Sequence, residues 1–507
     1  MVSKTFAETP MQQTQWLGHP RGLATLFFTE MWERFSYYGM RAILVLAMVA
    51  GVSGENPGLA ISKETALAIY GIYTSAVYLS ALPGGWIADR LIGQRNAVFW
   101  GGVIIACGHF SMALNSTPSF FIGLILIAFG TGLLKPNVSV MVGELYATSE
   151  SARKDAGYSM FYMGINVGAF LGKIICGYLG EKIGWHVGFG AAGIFMVAGL
   201  IQYKLTDRYL GDIGLKAVSS GDDAKDARTR KLGWTGVVLF LAAIAGVVAA
   251  TLGGVLVINA LALAKGAGVF IVALAASFFA YVLLLGGLNT LEKKRVGVIV
   301  VLFVGAAMFW SGFEQAGSSF SLFAKEHTDR VVWGWEIPAS WIQAVNPLLI
   351  IILSPFFAAL WVNLAKRNLV LSTPLKFGLG LLQLSLGFVV LAWASIYVAA
   401  GEKVAPTWLL LTYLFHTTGE LCLSPVGLAA VNKLSPARYQ GQMFGMWFTA
   451  SALGKLIAGL LAGHLAQDAD VAGMSSRFLF VFLTTAGAGV FMLLLARPVQ
   501  RLMGEIK

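Results

Sequence analysis

Charge is what this chain has least of: 12% of its 507 residues are Asp, Glu, Lys or Arg. Water-soluble globular chains carry roughly a quarter, so too little polar surface is available to cover a soluble fold of this length. Cysteine is also scarce. Cys107, Cys176 and Cys422 each sit inside an apolar run, which excludes a disulfide framework or a thiolate metal site and leaves them as packing residues. The six histidines (His19, His109, His186, His327, His416, His464) show no metal-ligand spacing. No nucleophile motif of the GxSxG kind stands in a suitable context. The chain is therefore read as a non-enzyme with no metal and no cofactor. Residues 1–20 lack the apolar core and small-residue cleavage site of a secretory signal, so the first apolar run is expected to direct its own insertion.

What the chain has instead is hydrophobic length. Apolar residues make up 57% of it and mean hydropathy is +0.73. Runs long enough to cross a bilayer, about 20 residues each, recur fourteen times: 23–50, 64–88, 96–115, 119–143, 156–179, 185–203, 233–258, 266–290, 297–323, 338–364, 375–400, 407–431, 440–466 and 477–496. Sixty glycines fit closely packed membrane helices. The net charge of +11 would suggest a nucleic-acid partner in a soluble protein. Here the basic residues fall mostly in short loops. With both termini cytoplasmic and loops alternating sides, twenty-three of the 36 Lys and Arg lie inside and seven outside. That is the positive-inside bias, and it removes nucleic acid from consideration.

Ionisable residues inside the spans are the functional signal, because each costs roughly 2.5–3.5 kcal/mol to insert at a helix centre. The first span carries Glu30, Glu33, Arg34, Tyr37, Tyr38 and Arg41, whose spacing puts all six on one helical face. Phe27, Phe28, Met31, Ala42 and Val45 form the other face, for packing or lipid. A structural ion pair at a helix crossing accounts for Glu30, Glu33 and Arg34 alone, but not for the continued stripe. Lys135 before Pro136, Glu314 and Glu420 are further isolated charges, and the prolines and glycines nearby predict locally irregular helices there. Lys173 and Lys455 are read as packing-side or snorkelling lysines. His416, four residues before Glu420, is read as a polar packing contact with it. Tyr158, Tyr162 and Asn166 share one face of the fifth span. Cations from the first half (Arg34, Arg41, Lys135) opposite carboxylates from the second (Glu314, Glu420) suit a zwitterion held between two bundles, with Trp310 and Trp447 as apolar walls.

These residues carry a resemblance. Glu30-Met-Trp-Glu33-Arg34-Phe35-Ser-Tyr37-Tyr38-Gly39 resembles the ExxERFxYYG signature of the proton-coupled oligopeptide transporters of the major facilitator superfamily. Phe161-Tyr162-Met-Gly-Ile-Asn166-Val-Gly168 is similar to their FYxxINxG signature, and Gly85-Trp-Ile-Ala-Asp89-Arg90-Leu-Ile-Gly93-Gln-Arg95 to the superfamily's loop motif. The match runs from about residue 18 to residue 497. Two departures stand out. Phe313 precedes Glu314 where some members have a second acid, and the second span has no histidine.

The resemblance implies an all-α membrane protein of the major facilitator fold, with two six-helix bundles and two inserted helices. It divides the chain into a cytoplasmic segment 1–22, an N-bundle 23–203, a linker 204–232, the inserted pair 233–290, a short linker 291–296, a C-bundle 297–496 and a cytoplasmic tail 497–507. It implies import of di- and tripeptides across a bacterial inner membrane, with the proton as coupling ion and no other cofactor, by a chain working as a monomer in lipid. Glu30, Glu33, Arg34 and Glu314 would couple proton binding to movement. Arg41 and Lys135 would face the peptide carboxylate, with Tyr37, Tyr38, Tyr78, Tyr162 and Asn166 around the peptide. Trp310, Glu314, Asn346, Glu420, Ser424 and Trp447 would form the opposing wall, Glu314 and Glu420 meeting the amine. Arg41 with Glu314, and Lys135 with Glu420, would be gating pairs. A carrier of the same architecture for another solute, or a drug exporter, is the alternative; a channel would need a ring of charges or a repeated filter, which the sequence does not show.

Overall fold

The computed structural model describes residues 15–147, 149–217, 219, 221–369, 371–465 and 472–503, and leaves out the side chains at 424, 425, 428 and 437. The expectations for Ser424, for residues 1–14 of the N-terminal segment and for residues 504–507 of the tail therefore lie outside the described residues.

Fourteen long helices fill the described residues. In chain order they are α1 Gly22–Val49, α2 Lys63–Ile92, α3 Gln94–Ala113, α4 Thr117–Glu144 and α5 Ser151–Lys182. Then come α6 Trp185–Thr206, α7 Asp223–Leu252, α8 Ala260–Leu284, α9 Thr290–Glu326, α10 Ala339–Lys366 and α11 Thr373–Ala399. The last three are α12 Thr407–Leu434, α13 Gln440–Leu465 and α14 Met474–Met503. Twelve are long and apolar enough to cross a membrane. The other two, α1 and α12, match them in length but carry Glu30, Glu33, Arg34 and Arg41, and His416 and Glu420. Both carry residues the sequence marks as functional.

Local chemistry sets the starts. Ser62, Ser116, Asp222 and Asn259 each accept a backbone N–H of the first turn that follows, satisfying donors a helix cannot pair itself. Asn289 and Glu292 cap α9 reciprocally. Gly93, at φ +78°, makes the tight turn from α2 into α3. Beside it Arg95 donates from Nε to the carbonyl of Ile213 at 2.8 Å, tying the loop motif to the end of the first bundle.

Helices α1–α6 form one bundle and α9–α14 the other. The most extensive packing within the first is α1 against α5. It depends on Gly168 and Gly172, where a Cβ would run into the backbone of Met31 and Phe35. The glycine that closes the FYxxINxG signature is therefore required by a backbone approach. Across the bundles α2 packs along α13, where Gly71 and Gly459 meet backbone to backbone. The inserted α8 rests on α2 and α13. By contrast α7 has only Asp226 and Gly233 buried, is charged over its first nine residues and apolar from Leu232 on, and touches the first bundle through Phe240 on Phe129 and Gly233 on Trp86 and Leu91. An apolar helix exposed on nearly all sides is a lipid-facing span.

Hydrogen bonds and ion pairs between the bundles gather at one end. Lys63 pairs with Glu326 at 2.9 Å. Trp341 donates to the Ile174 carbonyl at 2.8 Å, Lys173 to that of Gln343 at 2.8 Å, and Gln343 to that of Ala42 at 3.1 Å. The Glu181 carboxylate of α5 caps the start of α10, accepting from the N–H of Ala339 (3.0 Å), the N–H of Ser340 (2.8 Å) and the Ser340 hydroxyl (2.6 Å). A hairpin of β1 Val331–Val332 and β2 Trp335–Glu336 lies over this end. Toward the other end of α5, Tyr158 and Tyr162 stay 36% and 38% exposed. The bundles enclose a cleft that is shut at one end and open at the other.

Candidate functional site

The polar stripe of α1 turns inward. Arg34 pairs with Glu30 at 3.0 Å and with Glu33, all three at most 2% exposed. Thr131 of α4 donates to Glu33 at 3.4 Å. Two carboxylates share one guanidinium, so the ionised trio carries a formal charge of −1. Oε2 of Glu30 is buried with no hydrogen-bond partner. The ion pair expected as the bland account does exist, and the stripe continues beyond it. Tyr37, 1% exposed, lies between the guanidiniums of Arg34 and Arg41, 5.3 and 5.9 Å from its ring. Tyr38 faces the same two at 5.9 and 5.2 Å and the ammonium of Lys173 at 5.4 Å.

Arg41 reaches across to the second bundle and pairs with Glu314 at 3.0 Å. Glu314 sits where α9 breaks: the α-helix ends at Phe313, a tight turn spans Glu314–Gly317, and helix resumes over Ser319–Glu326. The irregularity expected near Glu314 is thus present. It is absent near Lys135 and Glu420, where α4 and α12 run unbroken past Pro136 and Pro425. The other oxygen of Glu314 accepts from Lys455 of α13. Lys455 is 1% exposed, and its ammonium lies over the rings of Tyr78 at 4.5 Å and Trp310 at 5.2 Å. The reading of Lys455 as packing-side or snorkelling is corrected here. It stands about 15 Å from the nearer end of α13, beyond the reach of its own stem, and so must be paired inside the protein. Lys173 is corrected likewise: it is buried and hydrogen-bonded across the bundle interface.

Lys135 of α4 approaches the Tyr78 ring at 4.2 Å, so this phenol stands between cations from both bundles. Glu420 accepts from the Asn346 amide at 3.1 Å, and the same amide reaches the Thr417 hydroxyl at 3.1 Å. The Arg41–Glu314 pair is formed, whereas Lys135 and Glu420 are not paired among the described residues. Asn166 is buried and bonds the Tyr162 carbonyl, leaving the exposed Tyr162 ring on the cleft side of α5. Trp447 packs on Phe377 and against Gly427, where any side chain would collide with the indole. His416 does not meet Glu420 as expected; its ring packs among Phe313, Phe320 and Phe388. Among the described residues no cluster of His, Cys, Asp and Glu is arranged to hold a metal.

The site is a chain of buried charges running from Glu30 through Arg34, Tyr38, Arg41, Glu314 and Lys455 to Tyr78 and Lys135. Such an arrangement can exchange partners when a proton or a charged solute arrives. Comparison with known proteins gives a consistent picture. The sequence model of the POT family matches residues 95–219 and 272–478. The peptide transporter YePEPT of Yersinia enterocolitica is 41% identical, covering 99% of this chain and 98% of its own. The di-/tripeptide transporter of Lactococcus lactis subsp. cremoris is 34% identical over 97% of this chain and 98% of its own. Among solved structures, the peptide transporter POT in complex with sulfate superposes with a TM-score of 0.86 at 38% identity, covering 97% of both chains. A mutant of it in complex with alafosfalin gives 0.85 at 37% over the same coverage.

Proposed function

The chain belongs to the POT family, and from that premise we propose that it is a proton-coupled symporter importing di- and tripeptides by alternating access. The observation that carries the reading is the Arg41–Glu314–Lys455 link, which joins the two bundles beside a cleft lined by Tyr162, Tyr78, Lys135 and Glu420. The protein works as a monomer in the bacterial inner membrane with both termini in the cytoplasm, so the open end of the cleft faces the cytoplasm.

The cycle follows from the charges. With the cleft open outward, a proton neutralises a carboxyl of the Glu30/Glu33 or Glu314 group and a peptide enters. Its carboxylate meets Arg41 and Lys135, and its ammonium meets Glu420 or Glu314. Asn346 steadies Glu420 for that contact, and Tyr38, Tyr78, Tyr162, Trp310 and Trp447 supply walls that accept many side chains. Charge compensation lets the bundles rock to the inward-facing arrangement, where Arg41 and Glu314 pair again. A zwitterion plus one proton carries one positive charge inward. At 100 mV that supplies about 2.3 kcal/mol, or roughly fiftyfold accumulation before any pH difference.

The test is Glu33→Gln in liposomes. The variant is expected to lose dialanine uptake driven by an acid exterior while retaining peptide counterflow, which needs no net proton movement. Unchanged acid-driven uptake removes Glu33 from coupling. Failure of dialanine to compete in the wild type removes the peptide reading.

A further inference from the structure

The inserted helix α7 joins two chemically different stretches without a break. From Leu232 to Leu252 it carries no charged residue. At 1.5 Å per residue that stretch is about 31 Å long, which just fills a hydrocarbon core of about 30 Å. The fit fixes the depth of α7 in the membrane, and with it the depth of the four bases that precede Leu232. Counting back along the helix, Lys231, Arg230, Arg228 and Lys225 stand roughly 2, 3, 6 and 11 Å beyond that residue. The headgroup layer of one leaflet is about 5–8 Å deep. Three of the four therefore start within it, and the long stem of Lys225 reaches back to it.

Nothing in the protein occupies these bases. All four are exposed, and none forms an ion pair, hydrogen bond or ring contact among the described residues. The acids of the same segment face elsewhere. Asp222 accepts the N–H groups of Ala224 and Lys225, Asp226 is buried and accepts from the Ser219 hydroxyl at 2.6 Å, and Asp223 lies further out, in the first turn. Asp226 and Gly233, seven residues apart, share the buried side of the helix, and at 100° per residue the four bases spread around the remaining sides. On the turn of α2 that packs here, Asp89 and Arg90 are both exposed and cancel in charge. Lys225, in the first turn, even opposes the helix dipole, so the helix gains nothing from it. Trp234, 47% exposed, stands next to the bases and is the side-chain type that settles at a headgroup boundary.

We infer that this end of α7 is a binding surface for anionic phospholipid headgroups, a collar of Lys225, Arg228, Arg230 and Lys231 that fastens the helix to its leaflet. The positive-inside bias accounts for the side on which such bases lie, not for what they touch. The collar gives the inserted helix an attachment that its sparse packing on the first bundle does not supply, and it is independent of which solute is carried.

The experiment uses the full chain with Thr235→Cys as its one cysteine, labelled with dansyl and reconstituted in phosphatidylcholine vesicles. Quenching by a few per cent of 5-doxyl phosphatidylglycerol is compared with quenching by 5-doxyl phosphatidylcholine. Each base at a headgroup layer favours an anionic lipid about fivefold, so phosphatidylglycerol is expected to be enriched at the label by at least that factor. Salt at 0.5 M is expected to reduce the enrichment severalfold. Replacing all four bases by Gln is expected to abolish it, whereas Arg228→Lys/Arg230→Lys retains it. Equal quenching by the two lipids in the wild type overturns the inference, as does an enrichment that survives in the four-Gln variant. Loss of the enrichment on adding millimolar glycerol phosphate overturns it too, by making a soluble phosphate the ligand. Should the four-Gln variant fail to insert, the wild type in salt decides the matter: an enrichment insensitive to salt is not electrostatic, and the collar is refuted.

Discussion

The carboxylate of Glu181 offers the sharpest test of how the cleft is kept shut at one end. It is 2% exposed, belongs to the first bundle, and accepts three hydrogen bonds from the first turn of α10 in the second. It is a helix N-cap supplied across the bundle interface. Replacing it by alanine orphans the N–H groups of Ala339 and Ser340 only while the bundles are closed; when they part, water satisfies both. A hydrogen bond to a charged group is worth about 1.5–3 kcal/mol, and loss of an N-cap about 0.5–2 kcal/mol. Water's partial compensation makes about 2 kcal/mol the net bias lost, a roughly thirtyfold shift toward the form open at this end. Lys325, half exposed and 3.7 Å away, adds little. Spin labels at the exposed Glu55 and Glu402, in the loops of the two bundles at that end, report the change by pulsed electron resonance. The background would lack Cys107, Cys176 and Cys422. Glu181→Ala is expected to populate a longer distance that is minor in the parent. Identical distance distributions would refute the reasoning, leaving Glu181 as a cap without influence on the equilibrium.

Two further outcomes are expected. Asn346→Ala removes a donor to Glu420 at 3.1 Å, so the KM for dialanine should rise about five- to tenfold with kcat changed less than about twofold; an unchanged KM would detach Asn346 from peptide binding. Gly168→Val drives a side chain into the backbone of Met31, so thermal unfolding in detergent should begin several degrees lower, at a cost of about 3 kcal/mol; an unchanged melting curve would mean that α1 and α5 can separate freely.

The architecture was readable because lipid imposes one rule on every span, and twelve of the fourteen helices meet it by length and composition. The α1 stripe was readable because 3.6-residue periodicity places Glu30, Glu33, Arg34, Tyr37, Tyr38 and Arg41 on one side whatever they contact. Lys455 was misread although the chain held the signal. A lysine ten residues from the nearer end of its helix, with no acid in its own span, cannot bring its charge to water and must find a partner within. Glu181 gave no such signal: it looks like any helix-end acid, and its partner lies 159 residues further on. The Lys135–Glu420 pair failed to appear for a different reason. Sequence names the groups that can meet, but which pairs are closed depends on the position of the bundles at one moment.

In the proposed rocking of the bundles, the backbone contact of Gly71 with Gly459 would set the leverage. Having no side chains to unlock, it could roll while remaining closed and serve as a fulcrum. Gly459 lies six residues from one end of α13 and nineteen from the other, arms of roughly 9 and 29 Å. A separation of one hydrogen-bond length on the short arm thus sweeps the distant mouth through about three times that distance.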